Sequence, residues 1–472
     1  MPLSLVQNLR LWRREIRPTW ALALPIMAGM VSQMLMGLAD ALMVGRVGVV
    51  PLAAASFVNA VAHLPLVLGM GLLTCISVLT SQAYGARRSD EAGELLRHGL
   101  VLSAAVGLLA ALTMFALRPF LDHLGQPPEV VAAAKNYLLL YGGSLLPGLV
   151  AHGAKQFSDA LKHPWLPTVV MLGGVGLNVL LNWILIYGNC GAPALGLEGS
   201  GWATLISRTV IAVVLVGYVV DAPALRKFQP ARWRGQLTWE RFQRMLKVGW
   251  PVGAQHFFEV SAFASAAIMM GWINADAMAA HQIAITCAAM TFMSALGIGA
   301  AAGIRVGHAF GAGQFARVRR IGFSGVGMAA TFMGAFGVLF ALAGKNIATL
   351  FIESPAVVNL TAQLLIVAAV FQIVDGIQVS AISALRGLSD VRVPAMIAIV
   401  AYWFIALPVG AALAFGAKLG AVGMWIGLAL GLGAAAAGLL WRFHRKTQMV
   451  CVSADAFATA PTRLEVSGEK SL

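Results

Sequence analysis

The sequence predicts an all-α polytopic membrane protein with twelve transmembrane helices in two pseudo-symmetric six-helix lobes. Composition is the first reason, because 59% of the 472 residues are apolar and only 11% are charged, whereas soluble domains carry roughly 25% charged residues. The mean hydropathy is +0.81. Length is the second reason, because twelve crossings of about 20 residues use nearly the whole chain. These observations exclude a soluble enzyme with a membrane anchor, a disordered protein and a nucleic-acid binder.

Apolar runs separated by polar breaks define the predicted membrane spans. The longest polar interruption runs from Asp221 to Met245, falls halfway along the chain and contains Pro223, Pro230 and several basic residues. It is the predicted linker between the two lobes. The predicted spans lie near residues 20–44, 52–80, 95–117, 134–156, 165–187, 197–220, 246–272, 277–304, 320–343, 358–383, 393–414 and 420–444.

An internal repeat supports two lobes. Proline and glycine matches at a nearly constant offset are hard to obtain by chance, because these residues mark kinks and close helix packing. Six spans in each half give both halves the same orientation, which is the parallel-repeat plan of many transporters that work by alternating access. A shift of 226 residues places Pro25 on Pro251, Gly45 on Gly271, Gly71 on Gly297 and the segment 83–86 (AYGA) on 309–312 (AFGA).

The basic residues cluster in alternate loops. Assigning the basic loops to the cytoplasm places 27 of the 33 Lys and Arg residues inside and 5 outside, with Arg208 within a span. Both termini are therefore predicted to be cytoplasmic, and a basic face on membrane lipids explains the net charge of +14 without a nucleic-acid partner. The predicted parts are an amphipathic cytoplasmic N-terminus (1–19), the N-lobe with helices 1–6 (20–220), a basic cytoplasmic linker (221–245), the C-lobe with helices 7–12 (246–444) and a cytoplasmic tail (445–472).

The four cysteines are predicted to be small apolar fillers. They form no CxxC pair and have no metal-ligand spacing, so we expect no disulfide and no zinc site. We also expect no cofactor apart from a coupling ion, Na⁺ or H⁺. They are Cys75, Cys190, Cys287 and Cys451.

Three carboxylates within predicted spans are the sharpest functional signals. Asp40, Glu259 and Asp375 lie in apolar segments, where each charge costs a few kcal/mol. The alternative is a structural acid held by a neighbouring hydroxyl or arginine, but no cation lies near any of them in sequence. Arg208 is the one base expected in mid-membrane, and we expect it to tie helices together.

The acids of the two halves are not copies of each other. Under the 226-residue shift, Asp40 corresponds to Ala266, and Glu259 corresponds to Gln33. Seven positions separate the two acids in register, so they share a helix face and differ by about 10 Å in depth. Each lobe is therefore predicted to have its own acidic position.

Neutral polar residues near these acids are candidate supports. Asn178 and Asn182 are spaced i,i+4 on one helix face, and beside Asp40 their carbonyls would offer hard oxygens to Na⁺. A hydrogen-bonded pair between helices is an equally open interpretation. Further candidates are Thr204 and Tyr137 near Asp40, and Gln282 and His281 near Glu259.

Several long motifs resemble the multidrug and toxic compound extrusion (MATE) transporters, specifically their NorM-type bacterial branch. The similarity extends from about residue 20 to 445. It rests on the segments LALPIM, GLADALMVG, SQAYGA, LNWILIYGNCGAPALG, PVGAQHFFEV, AAHQIA, IRVGHAFG, FQIVDGIQV and LRGLSD.

The resemblance implies a non-enzymatic, monomeric antiporter of the bacterial inner membrane that exports small organic cations in exchange for Na⁺ or H⁺. By motif match, Asp40 is similar to the family's first-lobe acid, and Glu259 and Asp375 are similar to its second-lobe acids. Na⁺ would then bind at Asp40 with the two asparagines, or at Glu259 and Asp375. Phe371 departs from the pattern, because relatives often carry tyrosine there; a hydroxyl ligand is lost and a cation–π contact remains available.

Two other functions stay open. A flippase of a lipid-linked precursor on the same fold predicts a cleft rich in Arg and Lys. A haem or quinone redox protein predicts paired histidines on facing helices, and the candidates are His63, His256 and His281.

Overall fold

A computed structural model describes the backbone of residues 5–459 and the side chains of residues 13–449. The outer parts of the predicted N-terminus and tail, and the Cys451 side chain, lie outside the described residues. The described chain forms twelve long helices. They are α1 (Leu5–Gly45), α2 (Val49–Gly85), α3 (Ser89–Leu117), α4 (Pro128–Ala160), α5 (Trp165–Tyr187), α6 (Leu197–Asp221), α7 (Trp239–Ile273), α8 (Ala275–Gly311), α9 (Phe315–Thr349), α10 (Pro355–Gly387), α11 (Arg392–Gly416) and α12 (Gly420–Thr459).

Eleven of these helices are long and apolar enough to cross a membrane by length and composition. The remaining one, α4, has 33 residues and is more polar, because it carries Lys135, His152, Lys155 and Asp159. The all-α fold class is confirmed, and the protein is a multi-pass membrane protein.

Local sequence explains where several helices begin and end. Proline stands in the first turn of α4 and of α10, where its missing N–H costs nothing. Asn274 caps α8 by accepting a hydrogen bond from the Ala277 N–H at 2.6 Å. Gly188 ends α5 with φ of 75°, a left-handed conformation that favours glycine.

Each half has its own apolar core. One buried cluster is built mainly from α2–α6, and a second one is built entirely from α7–α12. The halves meet where α1 packs on α8 and α2 packs on α7. Under the repeat α1 corresponds to α7 and α2 to α8, so the two contacts are equivalent, as expected for halves related by an axis along the membrane normal.

The halves are joined at one end, which we call the basic end. It is the end that carries the loops 86–88, 161–164, 222–238, 312–314 and 388–391. Among the described residues, every side-chain hydrogen bond between α1–α6 and α7–α12 lies toward this end. Examples are Gln82 Nε2 to Gly387 O at 2.8 Å and the ion pair of Arg305 with Glu15. Within the part of the chain that the structure describes, no such contact joins the two halves toward the opposite end.

Close backbone approach between the halves depends on glycine at position 71. A Cβ atom at Gly71 would lie 2.8 Å from Gly253 Cα and 2.9 Å from His256 Cδ2. We therefore expect Gly71→Ala to lower the melting temperature of the purified protein, because overpacking costs about 1–3 kcal/mol and outweighs the gain of roughly 1 kcal/mol in helix propensity. Gly327→Ala is the matched control, since nothing lies within 4 Å of a Cβ there. Equal melting temperatures for the two variants would contradict this packing.

Candidate functional site

Asp40 lies in the interior of the first half, where three helices meet. Its carboxylate is on α1 and its side chain is 7% exposed. Asn182 Nδ2 on α5 donates to Asp40 Oδ1 at 2.6 Å, and Thr204 Oγ1 on α6 donates to Asp40 Oδ2 at 3.1 Å. No ion pair reaches this carboxylate within the described residues. Its hydrogen bonds come from neutral donors, and the Arg208 charge acts on it from farther away.

Each of the two asparagines beside this carboxylate has one side-chain polar atom without a hydrogen-bond partner among the described residues. Asn182 Nδ2 also lies 3.2 Å from Asn178 Oδ1, so one amide group serves both oxygen acceptors. Asn182 Oδ1 and Asn178 Nδ2 are buried and have no hydrogen-bond partner among the described residues. A buried unsatisfied carbonyl next to a carboxylate is costly, and a small cation placed there would satisfy both oxygens.

Tyr137 is placed close to this cluster without contacting the acid. It is buried on α4, its ring centroid lies 5.8 Å from that of Tyr141, and it packs against α6 at Gly201. The structure therefore brings Asp40, Asn178, Asn182 and Thr204 together and leaves Tyr137 in the wall around them.

A cavity of about 240 Å³ extends from Asp40 through the first half. Arg208 lines it one helical turn from Thr204, donates to Ser144 Oγ at 2.8 Å and lies 4.9 Å from the Tyr141 ring centroid. These contacts tie α6 to α4, as expected. The mainly apolar wall includes three methionines, at positions 36, 70 and 171, whose flexible side chains adapt to different ligand shapes.

The expectation that Arg208 is the one buried base is corrected. Lys155 also lines the cavity, is buried, and pairs with Asp159 at 2.5 Å. The pair was missed because the predicted span ended at residue 156, between the two charges. Its i,i+4 spacing on one helix face was the available signal.

In the second half, Glu259 on α7 is held by neighbours on two helices. Tyr402 Oη on α11 donates to Glu259 Oε1 at 2.9 Å, and Gln255 Nε2 lies 3.5 Å from Oε2. Arg386 on α10 donates to Gln255 Oε1 at 2.9 Å and lies 3.3 Å from His256 Nε2. The arginine makes no direct hydrogen bond to the carboxylate, but it contacts both Gln255 and His256, and His256 Nδ1 lies 4.0 Å from Glu259 Oε2.

Asp375 on α10 has the fewest hydrogen-bond and ion-pair partners of the three acids among the described residues. It is 6% exposed, and within the described residues no hydrogen bond or ion pair reaches it. The Glu259 carboxylate is close enough to repel it. Two acids therefore share this region with one indirectly connected arginine, so the second half has room for an additional positive charge.

Tyr402 is a site residue that sequence reasoning missed. It lies in the π-helical segment Ala401–Ala406 of α11, and such segments frequently occur at functional sites. The resemblance placed the lost hydroxyl at Phe371, which is buried against Trp425 with ring centroids 5.5 Å apart. The hydroxyl in this chain comes instead from another helix, so the absence of tyrosine at position 371 does not leave Glu259 without one.

We expect Tyr402→Phe to weaken the site without unfolding the protein. The variant keeps the ring and removes a hydrogen bond to a carboxylate, which contributes about 1.5–3 kcal/mol. If Na⁺ loads Glu259, transport should lose roughly tenfold or more in apparent Na⁺ affinity, because a hydroxyl oxygen is lost beside the carboxylate. If H⁺ loads it, Glu259 should hold its proton more tightly, because the lost hydrogen bond stabilised the charged form. Both changes are measured as the Na⁺ or H⁺ concentration that gives half-maximal dye export. An unchanged concentration dependence, with Trp403→Phe as a neighbouring control, would contradict a role for this hydroxyl.

Two expected supports of Glu259 are corrected. Gln282 has an exposed side chain, and no hydrogen bond joins it to Glu259 in the described structure. His281 is buried, and its Nδ1 accepts a hydrogen bond from Trp425 Nε1 at 3.1 Å. Both lie on α8, which packs on α10, but neither side chain hydrogen-bonds to Glu259.

The described residues contain no group of three or more His, Cys, Asp or Glu side chains that could hold a metal ion. Cys75 and Cys287 are buried, Cys190 is exposed, and all three are free. A cation at these acids would therefore depend on one carboxylate, or on Glu259 and Asp375 together, with amide or hydroxyl oxygens.

Comparison with known proteins gives one family. The family model described as MatE matches residues 25–184 and 251–412. The two segments begin 226 residues apart, 251 − 25, which equals the shift of the internal repeat. The chain is 35% identical to the "Probable multidrug resistance protein NorM" of Mesorhizobium japonicum, over 93% of this chain and 96% of that protein. It is 37% identical to the protein of that name from Burkholderia pseudomallei, over 94% and 95%.

Solved structures show the same fold. The Vibrio cholerae MATE transporter VcmN in its bent form matches with a TM-score of 0.83 at 19% identity, over 94% of this chain and 99% of that one. A MOP superfamily transporter from Pyrococcus furiosus matches with a TM-score of 0.84 at 21% identity, over 93% and 97%.

Proposed function

The chain belongs to the MatE family, and we propose that it is a multidrug efflux transporter of the bacterial inner membrane. Relatives at 35% and 37% identity are named as multidrug resistance proteins. The proposed cargo is a small organic cation with apolar parts, and the exchanged ion is Na⁺ or H⁺. The observation that carries the proposal is that Asp40 and Asp375 are buried with no ion-pair partner among the described residues.

In the proposed mechanism, the drug cation and the coupling ion compete for these carboxylates. A carboxylate in apolar surroundings is stabilised by any positive partner, because its charge is poorly solvated. Na⁺ or H⁺ entering from outside loads the acids and favours the change to the conformation that opens toward the cytoplasm. A drug cation arriving from inside replaces the ion, and the reverse change carries it outward.

The proposed orientation places the basic end in the cytoplasm, in line with the positive-inside rule. The described conformation, joined at that end, would then be the one that faces outward. Membrane potential supplies about 2.3 kcal/mol per charge per 100 mV. The membrane potential drives transport only when more positive charge enters the cell than leaves it. Exchange of one Na⁺ or H⁺ for one monovalent drug cation would therefore be driven by the ion concentration gradient alone.

Efflux of a fluorescent cation from loaded vesicles, with sodium pulses and pH pulses applied separately, tests the function and identifies the ion. The proposal expects efflux to accelerate after one pulse type and to remain at the background rate in vesicles without the protein. An efflux rate that changes after neither the sodium pulse nor the pH pulse would contradict the antiport mechanism.

The two alternatives have weaker support. A flippase needs free cations along the substrate path. Arg208 and Lys155 line the cavity beside Asp40, but Lys155 is paired with Asp159 and Arg208 contacts Ser144 and Tyr141. An assay of lipid-linked precursor movement separates the two functions. Haem ligation needs free imidazole nitrogens, whereas Nδ1 of His281 accepts from Trp425 and Nε2 of His256 faces Arg386. An absorption spectrum of the purified protein tests this second alternative.

A further inference from the structure

A large cavity at the basic end lies apart from Asp40, Glu259 and Asp375. It has a volume of about 800 Å³ and lies between the halves, with walls from α1, α2, the start of α3, α5, α8 and α9 and from the connecting segments. We call it the basic pocket. Its five cationic side chains come from both halves: Arg87, Lys162 and Lys227 from the first half and the linker, and Arg305 and Arg317 from the second.

The positive charge of this pocket is only partly neutralised. No acidic residue is among the described residues that line it. Glu15 lies just behind and pairs with both Arg305 and Arg317, so one carboxylate serves two guanidinium groups. Lys162 has no acidic partner in the described structure. Partial burial, and repulsion by Arg305 and Arg317, lower the pKa of Lys162.

Local contacts position two side chains that line the pocket, Lys162 and His308. Lys162 has φ of 66°, a left-handed conformation that is unfavourable for a side-chain-bearing residue, and its Nζ lies 5.1 Å from the Tyr84 ring centroid. His308 Nε2 on α8 donates to the Ala160 carbonyl at the end of α4, at 2.7 Å. These contacts bring the lysine of one half to face the arginines of the other half.

An apolar strip leads away from the pocket along α5. Trp165 lines the pocket, and Trp165, Val169 and Leu172 are all exposed. Their i, i+4, i+7 spacing places them on one helix face, which is the surface that the acyl chain of a lipid would cover. A phosphate group in the pocket and a hydrocarbon chain on this face would fit one molecule.

We propose that the basic pocket binds the phosphate headgroup of an anionic phospholipid from the adjacent leaflet, and that the bound headgroup bridges Lys162 of one half and Arg317 of the other. Phosphate recognition by Lys and Arg relies on charge-assisted hydrogen bonds. Because the bridge spans both halves, the lipid stabilises the conformation that is joined at the basic end. This site is independent of the proposed drug and ion sites.

Thermal unfolding of the purified full-length protein in neutral detergent tests the proposal. Phosphatidylglycerol should raise the melting temperature by several degrees, and phosphatidylcholine should not. The pair Lys162→Gln with Lys227→Gln should lose at least half of the phosphatidylglycerol shift, whereas Lys162→Arg with Lys227→Arg should keep it. The control pair Lys247→Gln with Arg445→Gln removes two charges from the same end outside the pocket and should also keep it.

Three results would overturn the assignment. Equal shifts with the two lipids would remove the need for an anionic headgroup. A full phosphatidylglycerol shift in the Lys162→Gln pair would place binding elsewhere. The same measurement with inorganic pyrophosphate distinguishes a lipid from a soluble ligand. If pyrophosphate raises the melting temperature as much as phosphatidylglycerol does, and the Lys162→Gln, Lys227→Gln variant loses this effect, the pocket binds a soluble phosphate compound instead of a lipid.

Discussion

Replacing Asp40 by asparagine is expected to reduce dye efflux to the level of cells that lack the protein. The variant keeps the size of the side chain and can keep the hydrogen bond with Thr204, but it removes the negative charge at the junction of α1, α5 and α6. Loss of one partner of a buried charge pair costs about 2–5 kcal/mol, which is roughly 30-fold or more in cation affinity. The measurement is ethidium-type dye efflux at matched protein levels in the membrane.

Asp276→Asn is the matched control for this loss. Asp276 is an exposed acid in the first turn of α8, so its replacement should leave efflux unchanged. Asn182→Ala adds a second comparison, because it removes the 2.6 Å donor to Asp40 and keeps the charge. We expect this variant to transport with altered ion dependence. Wild-type efflux by Asp40→Asn would remove the first-half acid from the mechanism.

Replacing Glu259 by glutamine is expected to have the second largest effect. The substitution keeps an acceptor for Tyr402 and removes one of the two negative charges near Asp375. If the two acids bind one cation together, Glu259→Gln and Asp375→Asn should each lower efflux by roughly tenfold or more, and the double variant should be little worse than either, because residues that act as a unit are not additive. Rates would be measured from initial dye efflux under an imposed ion gradient.

Glu353→Gln provides the control in the second half, since Glu353 is exposed in the turn before α10. Losses that simply multiply in the double variant would show that Glu259 and Asp375 act separately. Wild-type rates in both single variants would mean that the second half does not carry the coupling ion.

Local sequence patterns were sufficient to predict those site residues whose position depends on a single helix. The three acids stand out because carboxylates are rare in apolar spans, and the i,i+4 spacing of Asn178 and Asn182 fixed their common face before any tertiary contact was known. The repeat shift of 226 residues predicted the equivalence of α1 and α7, which the packing of α1 on α8 and of α2 on α7 reflects.

Contacts between distant helices could not be predicted in the same way. Tyr402 meets Glu259 across 143 positions in sequence and lies in a π-helical segment that the apolar pattern of α11 does not reveal. Gln282 and His281 were expected to support Glu259, but in α8 the side chain of Gln282 is exposed and His281 pairs with Trp425. The basic pocket draws its five cations from both halves and the linker, so it becomes visible only when the halves are assembled.

Competition between a dye cation and the coupling ion at these acids is tested most directly by equilibrium dye binding to the purified protein over a range of Na⁺ concentrations and pH values. The account predicts that the apparent Kd rises in proportion to the concentration of Na⁺ or of H⁺, and that this dependence disappears in a variant carrying Asp40→Asn, Glu259→Gln and Asp375→Asn. A dye affinity that is the same at every sodium concentration and every pH would contradict it.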